Sequence, residues 1–202
     1  IADDCRLSLV VVCDETEDCF ETLPTINVKR IPDTDNNTLA LQPPSLDDTA
    51  YIIYTSGTTG MAKGIPISHR LLAYTIANNI SLLNLNLSTR IMQYINVVFD
   101  ASVVEIFPSL ASGCTLYLPL DTERKDSQLL VSFLLRNNIT LITLPAIMLS
   151  NLPHVDIPSL SYIIIGGDTT TKEALEFWSK GRTLINVYGP SENTVDTTYN
   201  II

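Results

Sequence analysis

Residues Tyr51–Gly64 read YIIYTSGTTGMAKG. The apolar, β-prone run AYIIYT ends directly in a stretch with three glycines, four hydroxyl side chains and a lysine. Gly57 and Gly60 admit positive φ and let backbone amides come close to an anion. Thr55, Ser56, Thr58 and Thr59 add hydroxyl donors, and Lys63 adds a mobile positive charge. Together these groups suit a polyphosphate. The loop is not a Walker A loop, which needs Gly before its Lys and Ser or Thr after it; here Ala62 precedes Lys63 and Gly64 follows. The plain alternative is a solvent-exposed turn, and this concentration of donors straight behind a strand weighs against it.

Working outward, short apolar runs alternate with helical segments. LSLVVVC (Leu7–Cys13) reads as a buried strand, and residues 14–47 as a long acidic, Pro/Asn-rich irregular stretch. Ser68 is placed to cap a helix running to about Leu83. RIMQYINV, CTLYLP, ITLITLP, LSYIIIGG and TLINVYG read as strands, the last being the final clear one. ASVVEIFPSLASG, SQLLVSFLLRNN, AIMLSNL and TKEALEFWSKG read as helices, with Pro108 expected early in its helix or at a kink and Gly181 closing the last. This alternation predicts an α/β fold, a layered, mainly parallel sheet flanked by helices. Ligands of such sheets bind at the carboxyl ends of the strands.

Composition sets the limits. At 202 residues, 46% hydrophobic and 17% charged, the chain is one large domain or part of a bigger protein, with ample material for a core. The net charge is −10 and the Lys and Arg residues are scattered, so no nucleic-acid partner is expected. No apolar run reaches the roughly 18 residues of a membrane span, and no signal peptide is visible, so no membrane partner is expected. Cys5, Cys13, Cys19 and Cys114 form no CxxC pair and have no His at zinc spacing. They read as small buried or half-buried thiols in a reducing cytoplasm. The chain begins at Ile1 and ends on YNII, as a piece of a longer protein would.

Four segments together resemble one family. YTSGTTGMAKG is similar to the phosphate-binding signature of the adenylate-forming superfamily, which includes acyl-CoA synthetases, luciferases and the adenylation domains of nonribosomal peptide synthetases. Ala62 stands where that family often has Pro. FDASVVE (Phe99–Glu105) resembles the FDxSxxE motif of peptide-synthetase adenylation domains, although Asp100 and Glu105 read alone could merely start a helix. IIIGGD (Ile163–Asp168) resembles the family's GGE-type turn, with Asp for Glu. INVYGPSENTV (Ile185–Val195) is similar to NxYGPTE, with Ser191 keeping the Thr hydroxyl. The motifs stand in the family's order across roughly three quarters of the chain.

The resemblance implies roles. Thr55, Ser56, Gly57, Thr58, Thr59, Gly60, Lys63 and Ser191 would hold the phosphates of ATP. Gly167, Asp168, Asn186, Tyr188 and Gly189 would surround adenine, with Tyr188 stacked on the base. Glu192 would hold Mg²⁺, and Lys63 and Glu192 would be the catalytic pair. Asp100 would pair with the α-ammonium of an amino acid, which a fatty acid lacks. The pocket carried over position by position is Asp100, Ala101, Val104, Thr143, Ile164, Gly166, Val187, Val195 and Asp196. It is small or aliphatic with a polar end, and partly resembles Glu- and Gln-activating pockets, from which Val104 and Thr143 depart.

The implied reaction makes an aminoacyl-AMP and pyrophosphate. The acyl group then passes to the phosphopantetheine thiol of a carrier-protein domain. On this resemblance the chain is the central part of the large N-terminal subdomain. Residues 1–47 would supply a strand and an acidic loop, and residues 48–202 the motif-bearing region. The small C-terminal subdomain and the other adenylation-domain segments would be partners outside it. Alternatives are an acyl- or aryl-CoA ligase of the same superfamily and a noncatalytic binding segment.

Overall fold

The computed structural model describes residues 4–20, 22–31, 42–56 and 62–202. The chain divides into two units: Ile1–Ser45 with Tyr54–Gly64, and Leu46–Ile53 with Ile65–Ile202.

In the first unit, β1 (Val10–Val12) pairs in parallel with β2 (Thr25–Asn27), Val10 opposite Thr25. The apolar run Leu7–Cys13 is therefore a strand over three residues, and it is only half covered. Val12 is buried, but Val11 is 64% exposed and Leu9 is exposed as well. In a two-stranded sheet each strand has a single neighbour, and here it buries only one face. The thiols are free; Cys5, Cys13 and Cys114 are half-buried, and Cys19 is exposed rather than covered.

The strand expected before the glycine loop is β3 (Thr49–Ser56). It pairs with β4 (Ala62–Ser68), a strand the sequence reading did not foresee. Its cue is the alternation in KGIPIS: Ile65 and Ile67 are buried while Pro66 between them is exposed, the two-residue period of a strand. Lys63 thus stands on a strand and is exposed.

Helix α1 (His69–Leu82) starts where expected, with Ser68 Oγ accepting the Leu71 N–H at 3.4 Å. Strand β5 (Arg90–Met92) is much shorter than RIMQYINV. The residues after Met92 leave the sheet because Gln93, Tyr94 and Ile95 turn their polar groups toward a buried carboxylate described below. A 3₁₀ turn at Asp100–Ser102 leads into α2 (Val103–Ser112). Pro108 lies inside α2 rather than at its start, leaving the Val104 carbonyl without an i+4 N–H donor. Gly113, with φ of 73°, ends that helix in the left-handed region.

Then follow β6 (Thr115–Tyr117), α3 (Asp121–Lys125), α4 (Ser127–Arg136), β7 (Leu141–Pro145), α5 (Ala146–Asn151), β8 (Tyr162–Gly166), α6 (Lys172–Trp178), β9 (Thr183–Tyr188) and β10 (Thr198–Ile201). The six strands of the second unit order as β10-β9-β8-β7-β5-β6. All neighbours run parallel except β10, which returns antiparallel on β9. The sequence reading lacked β10 although TTYNII is rich in the β-formers Thr, Tyr and Ile, because the segment follows a Pro-directed turn, and it lacked α3, a polar single turn. Gly181 lies past the end of α6, which stops at Trp178.

Strand residues alternate between two cores, as a sheet covered on both faces requires. Ile142, Leu144, Ile163, Ile165 and Leu184 join α4, α5 and α6 through Leu130, Leu134, Leu149 and Trp178. Leu141, Ile164 and Ile185 meet Leu83 and Leu85, just beyond α1. Helix α4 is capped by Asp126, whose Oδ1 accepts the Gln128 and Leu129 N–H groups at 2.8 and 3.0 Å. Asp126→Ala is expected to lower stability by about 1 kcal/mol, read by urea denaturation at neutral pH.

Candidate active site

The residues singled out in the second unit gather at the carboxyl ends of β7, β8 and β9. Register places Thr143 opposite Ile164, Ile164 opposite Ile185, and Gly166 opposite Val187. Thr143, Ile164, Gly166 and Val187 therefore share one face. Asn186 and Tyr188 lie on the other face of β9. Both are exposed, Tyr188 at 71%, which leaves its ring free for stacking. The residues assigned to the amino acid and those assigned to adenine thus fall on opposite sides of one strand end. Gly166 stands where a Cβ would touch the Val187 side chain and carbonyl oxygen at 3.0 Å. Gly167 has φ of 79° and turns the chain out of the sheet. Asp168 is exposed and accepts the Thr169 N–H at 2.7 Å.

Beyond β9 the chain folds back tightly. Thr197 N–H donates to the Tyr188 carbonyl at 2.9 Å, Asn193 N–H to Pro190 at 2.9 Å, and Asn193 Nδ2 to Thr197 Oγ1 at 2.7 Å. Thr194 and Val195 have φ of 57° and 74°. For a β-branched residue such as Val195 this is strained backbone, held because the turn around it is closed by hydrogen bonds. Gly189 is demanded by the same turn: a Cβ there would lie 2.0 Å from the Val195 oxygen and 2.8 Å from the Thr197 nitrogen. Gly189→Ala is expected to displace residues 190–197 and reduce nucleotide binding at least tenfold, checked by titrating an ATP analogue.

The turn sets Asp196 and Glu192 along a cleft of about 650 Å³, which Ile164, Ile185 and Val187 line from the sheet and Leu71, Thr75 and Leu82 from α1. That volume falls within the usual range for small-molecule sites. Asp100, Ala101, Val104, Thr143, Gly166 and Val195 are not among the residues lining this cleft. Asp100 nonetheless acts on it: burial first, and then the Asp100 charge, push Asp196 up to about 6. The same two causes push the Tyr51 phenol up to about 12. The Asp100 charge thus bears on both Asp196 and the Tyr51 phenol. The Tyr51 hydroxyl has no hydrogen-bond partner among the described residues.

Glu105 is the residue whose role the sequence understated. It is 1% exposed. Its Oε1 accepts the Tyr94 N–H at 3.1 Å, and its Oε2 accepts the Ile95 N–H at 3.0 Å and Gln93 Nε2 at 3.3 Å. Burial pushes Glu105 up to about 8, against the pull of those donors and of Arg124. It clamps the segment leading to Asp100 onto α2. The signal was an acidic residue amid VVEIF, where helical spacing calls for an apolar one. Tyr51, two residues ahead of Ile53 in β3, gave no signal at all.

Thr55, Ser56 and Lys63 belong to the first unit; Thr55 is half-buried at the end of β3, and Ser56 is exposed. Gly57, Thr58, Thr59 and Gly60 lie outside the described residues. Ser191 and Glu192 begin the 3₁₀ turn Ser191–Asn193. Glu192 is exposed and makes no ion pair among the described residues. The same residues contain no cluster of three or more potential metal ligands, and no helix long and apolar enough to cross a membrane.

A mainly parallel sheet flanked by helices is the layout of an adenylate-forming core. The chain belongs to the AMP-binding enzyme family, whose pattern matches residues 1–202. Bacitracin synthase 3 of Bacillus licheniformis is 42% identical over 154 residues, covering 76% of this chain and 2% of its own length. The fold is shared with the nonribosomal peptide synthetase FmoA3, with a TM-score of 0.82 at 21% identity over 100% of this chain and 23% of that one. It is shared too with the adenylation domain AlmE of Vibrio cholerae, solved with glycyl-adenosine-5'-phosphate, with a TM-score of 0.72 at 25% identity over 96% of this chain and 39% of that one. The chain thus spans a small part of these longer relatives.

Proposed function

We propose that the chain is the ATP- and amino-acid-binding part of a nonribosomal peptide synthetase adenylation domain, which activates an amino acid as its aminoacyl-AMP. The observation that supports this reading is Asp100, a half-buried carboxylate whose charge raises both Asp196, which lines the aliphatic strand-end cleft, and the Tyr51 hydroxyl. A carboxylate so placed attracts an α-ammonium and gives nothing to an acyl or aryl acid.

In the reaction, a carboxylate oxygen of the amino acid attacks the α-phosphorus of ATP, and pyrophosphate leaves. Asp100 holds the ammonium, and the sheet face shared by Ile164, Gly166 and Val187 receives the carbon frame. Tyr188 and Asn186 take the base on the opposite side of β9, with Gly167, Asp168 and Gly189 shaping its edge. Thr55, Ser56 and Ser191 offer hydroxyls and Lys63 an ammonium, groups whose chemistry suits phosphates. The gain is positioning and charge stabilisation. Glu192, an exposed hard-oxygen donor without a competing cation among the described residues, fits Mg²⁺, which binds through few protein carboxylates and the substrate phosphates. When bound, that ion neutralises phosphate charge. The acyl group then passes to a carrier-domain phosphopantetheine thiol, with AMP leaving.

The test is amino-acid-dependent ATP–pyrophosphate exchange on the full-length protein that contains this chain. Exchange with one or a few amino acids is the expected result. Exchange only with an aryl or fatty acid moves the chain to the CoA-ligase branch.

A further inference from the structure

Gln93 stands where the chain leaves the sheet. Its backbone N–H still donates to the Tyr117 carbonyl of β6 at 2.9 Å, and its buried side chain faces two ways. Nε2 donates to Glu105 Oε2 at 3.3 Å and to the Ile95 carbonyl. Oε1 accepts from the Arg124 guanidinium at 3.4 Å. A neutral amide, with donors at one end and an acceptor at the other, suits a place between an acid and a cation. A glutamate there would turn a second acceptor on Glu105.

Both ends of this bridge are fixed. Arg124 lies in α3, where Glu123 accepts the Leu120 N–H at 2.8 Å and pairs with Arg136 of α4. Helix α4 in turn enters the main core through Leu130 and Leu134. At the other end, Ile95 leads to Asp100 through a run of local hydrogen bonds. Asn96 Oδ1 accepts the Val98 N–H at 3.1 Å, the Asn96 carbonyl accepts the Phe99 N–H at 3.0 Å, and the Phe99 carbonyl accepts Ser102 Oγ at 2.7 Å. Arg124 lines one cavity of about 410 Å³ together with Tyr94, Ile95, Asn96 and Phe99.

Resting on the reading that Asp100 receives the α-ammonium, we infer that Gln93 and Arg124 are positioning residues for that carboxylate, a polar relay from α3 that fixes the Ile95–Phe99 segment and with it the place of Asp100. Glu105 grips the start of this segment through the Tyr94 and Ile95 N–H groups. That grip sets a carboxylate in the interior, where burial works against its charge, and Arg124 supplies the opposing positive charge. Gln93 joins the two and ties the Ile95 carbonyl into the same network. Such a buried network holds its members rigidly while every partner is present and loosens when one is removed. Loss of Arg124 is therefore felt at Asp100, and not at Asn186 and Tyr188 on β9.

The experiment is ATP–pyrophosphate exchange on the full-length protein that contains this chain, with the KM for the activated amino acid and the KM for ATP measured separately. Wild type is compared with Arg124→Gln, Arg124→Lys and Gln93→Glu. Arg124→Gln is expected to raise the amino-acid KM about tenfold, the scale of one hydrogen bond to a charged group, and to leave the KM for ATP in place. Arg124→Lys is expected to restore most of that loss, because it keeps the charge. Gln93→Glu, nearly isosteric, is expected to raise the same KM, because it loses the donor to Ile95 and sets a second acid against Glu105. Arg124 is half-buried, so its two variants test the relay where Gln93→Glu fails to fold. Two KM values unchanged in Arg124→Gln overturn the inference. Two KM values raised alike also overturn it, since they mark a general loosening, and so does an Arg124→Lys as impaired as Arg124→Gln. Each of these results leaves amino-acid activation standing. Exchange with no amino acid in the wild type overturns the inference together with the functional reading beneath it.

Discussion

Asp100→Ala is expected to lower amino-acid-dependent ATP–pyrophosphate exchange by about 100-fold or more, chiefly through the KM for the amino acid. Removing one partner of a desolvated charge pair costs on the order of 2–5 kcal/mol, because the other charge is left buried and unpaired. Asp100 is half-buried at the start of a 3₁₀ turn, and its charge reaches both Tyr51 and Asp196. The KM for ATP is expected to change little, since Asn186 and Tyr188, proposed to take the base, lie on the other face of β9. Comparing the two KM values on the full-length protein checks this. Exchange unaffected by the substitution would show that Asp100 does not touch the substrate.

Glu105→Ala is expected to be the most destabilising single change in the site region, by about 2–5 kcal/mol. It would strip acceptors from the buried N–H groups of Tyr94 and Ile95, each worth about 1–3 kcal/mol when left unpaired. Loss of the clamp would also loosen the segment that carries Asp100, so activity is expected to fall with stability. Chemical denaturation of the purified protein measures the first effect.

Glu105 also predicts a pH dependence with a definite sign. Its folded pKa, about 8, lies above the ordinary carboxylate value of 4.5. Between those values the folded state binds a proton that the unfolded state has released, so stability falls as pH rises through this window. Below 4.5 the contribution is fully present, and above about 8 it is gone. Asp196 adds the same sign between 3.8 and about 6. Glu105→Gln is expected to flatten the decline between pH 6 and 8, where Asp196 no longer titrates. Melting temperatures across that range decide it; an unchanged slope would mean Glu105 is ionised throughout.

The order of motifs, most helices and the parallel sheet were legible in the sequence, because each depends on local chemistry. Ser68 caps α1 through its own hydroxyl three residues away. The alternation of apolar runs with helical spacing forces βαβ connectivity, while Asp100 stands out only through the resemblance of FDASVVE to a family motif. What depends on distant residues was not legible. Strand β4 takes its face from burial of Ile65 and Ile67, and β10 exists by pairing with β9 after a strained turn. Glu105 reads as a helix-starting acid until the fold brings the backbone of Tyr94 and Ile95 to it. Gly189 reads as part of a turn until the Val195 carbonyl arrives 2.0 Å from where its Cβ would be. Asp196 and Asp100 are 96 residues apart in the chain and couple only because the sheet brings its strand ends together. The sequence by itself determined which chemistry is present. The tertiary structure decided which of those groups share a site and which sides of β9 they occupy, because burial and electrostatic coupling are set by neighbours that lie far along the chain.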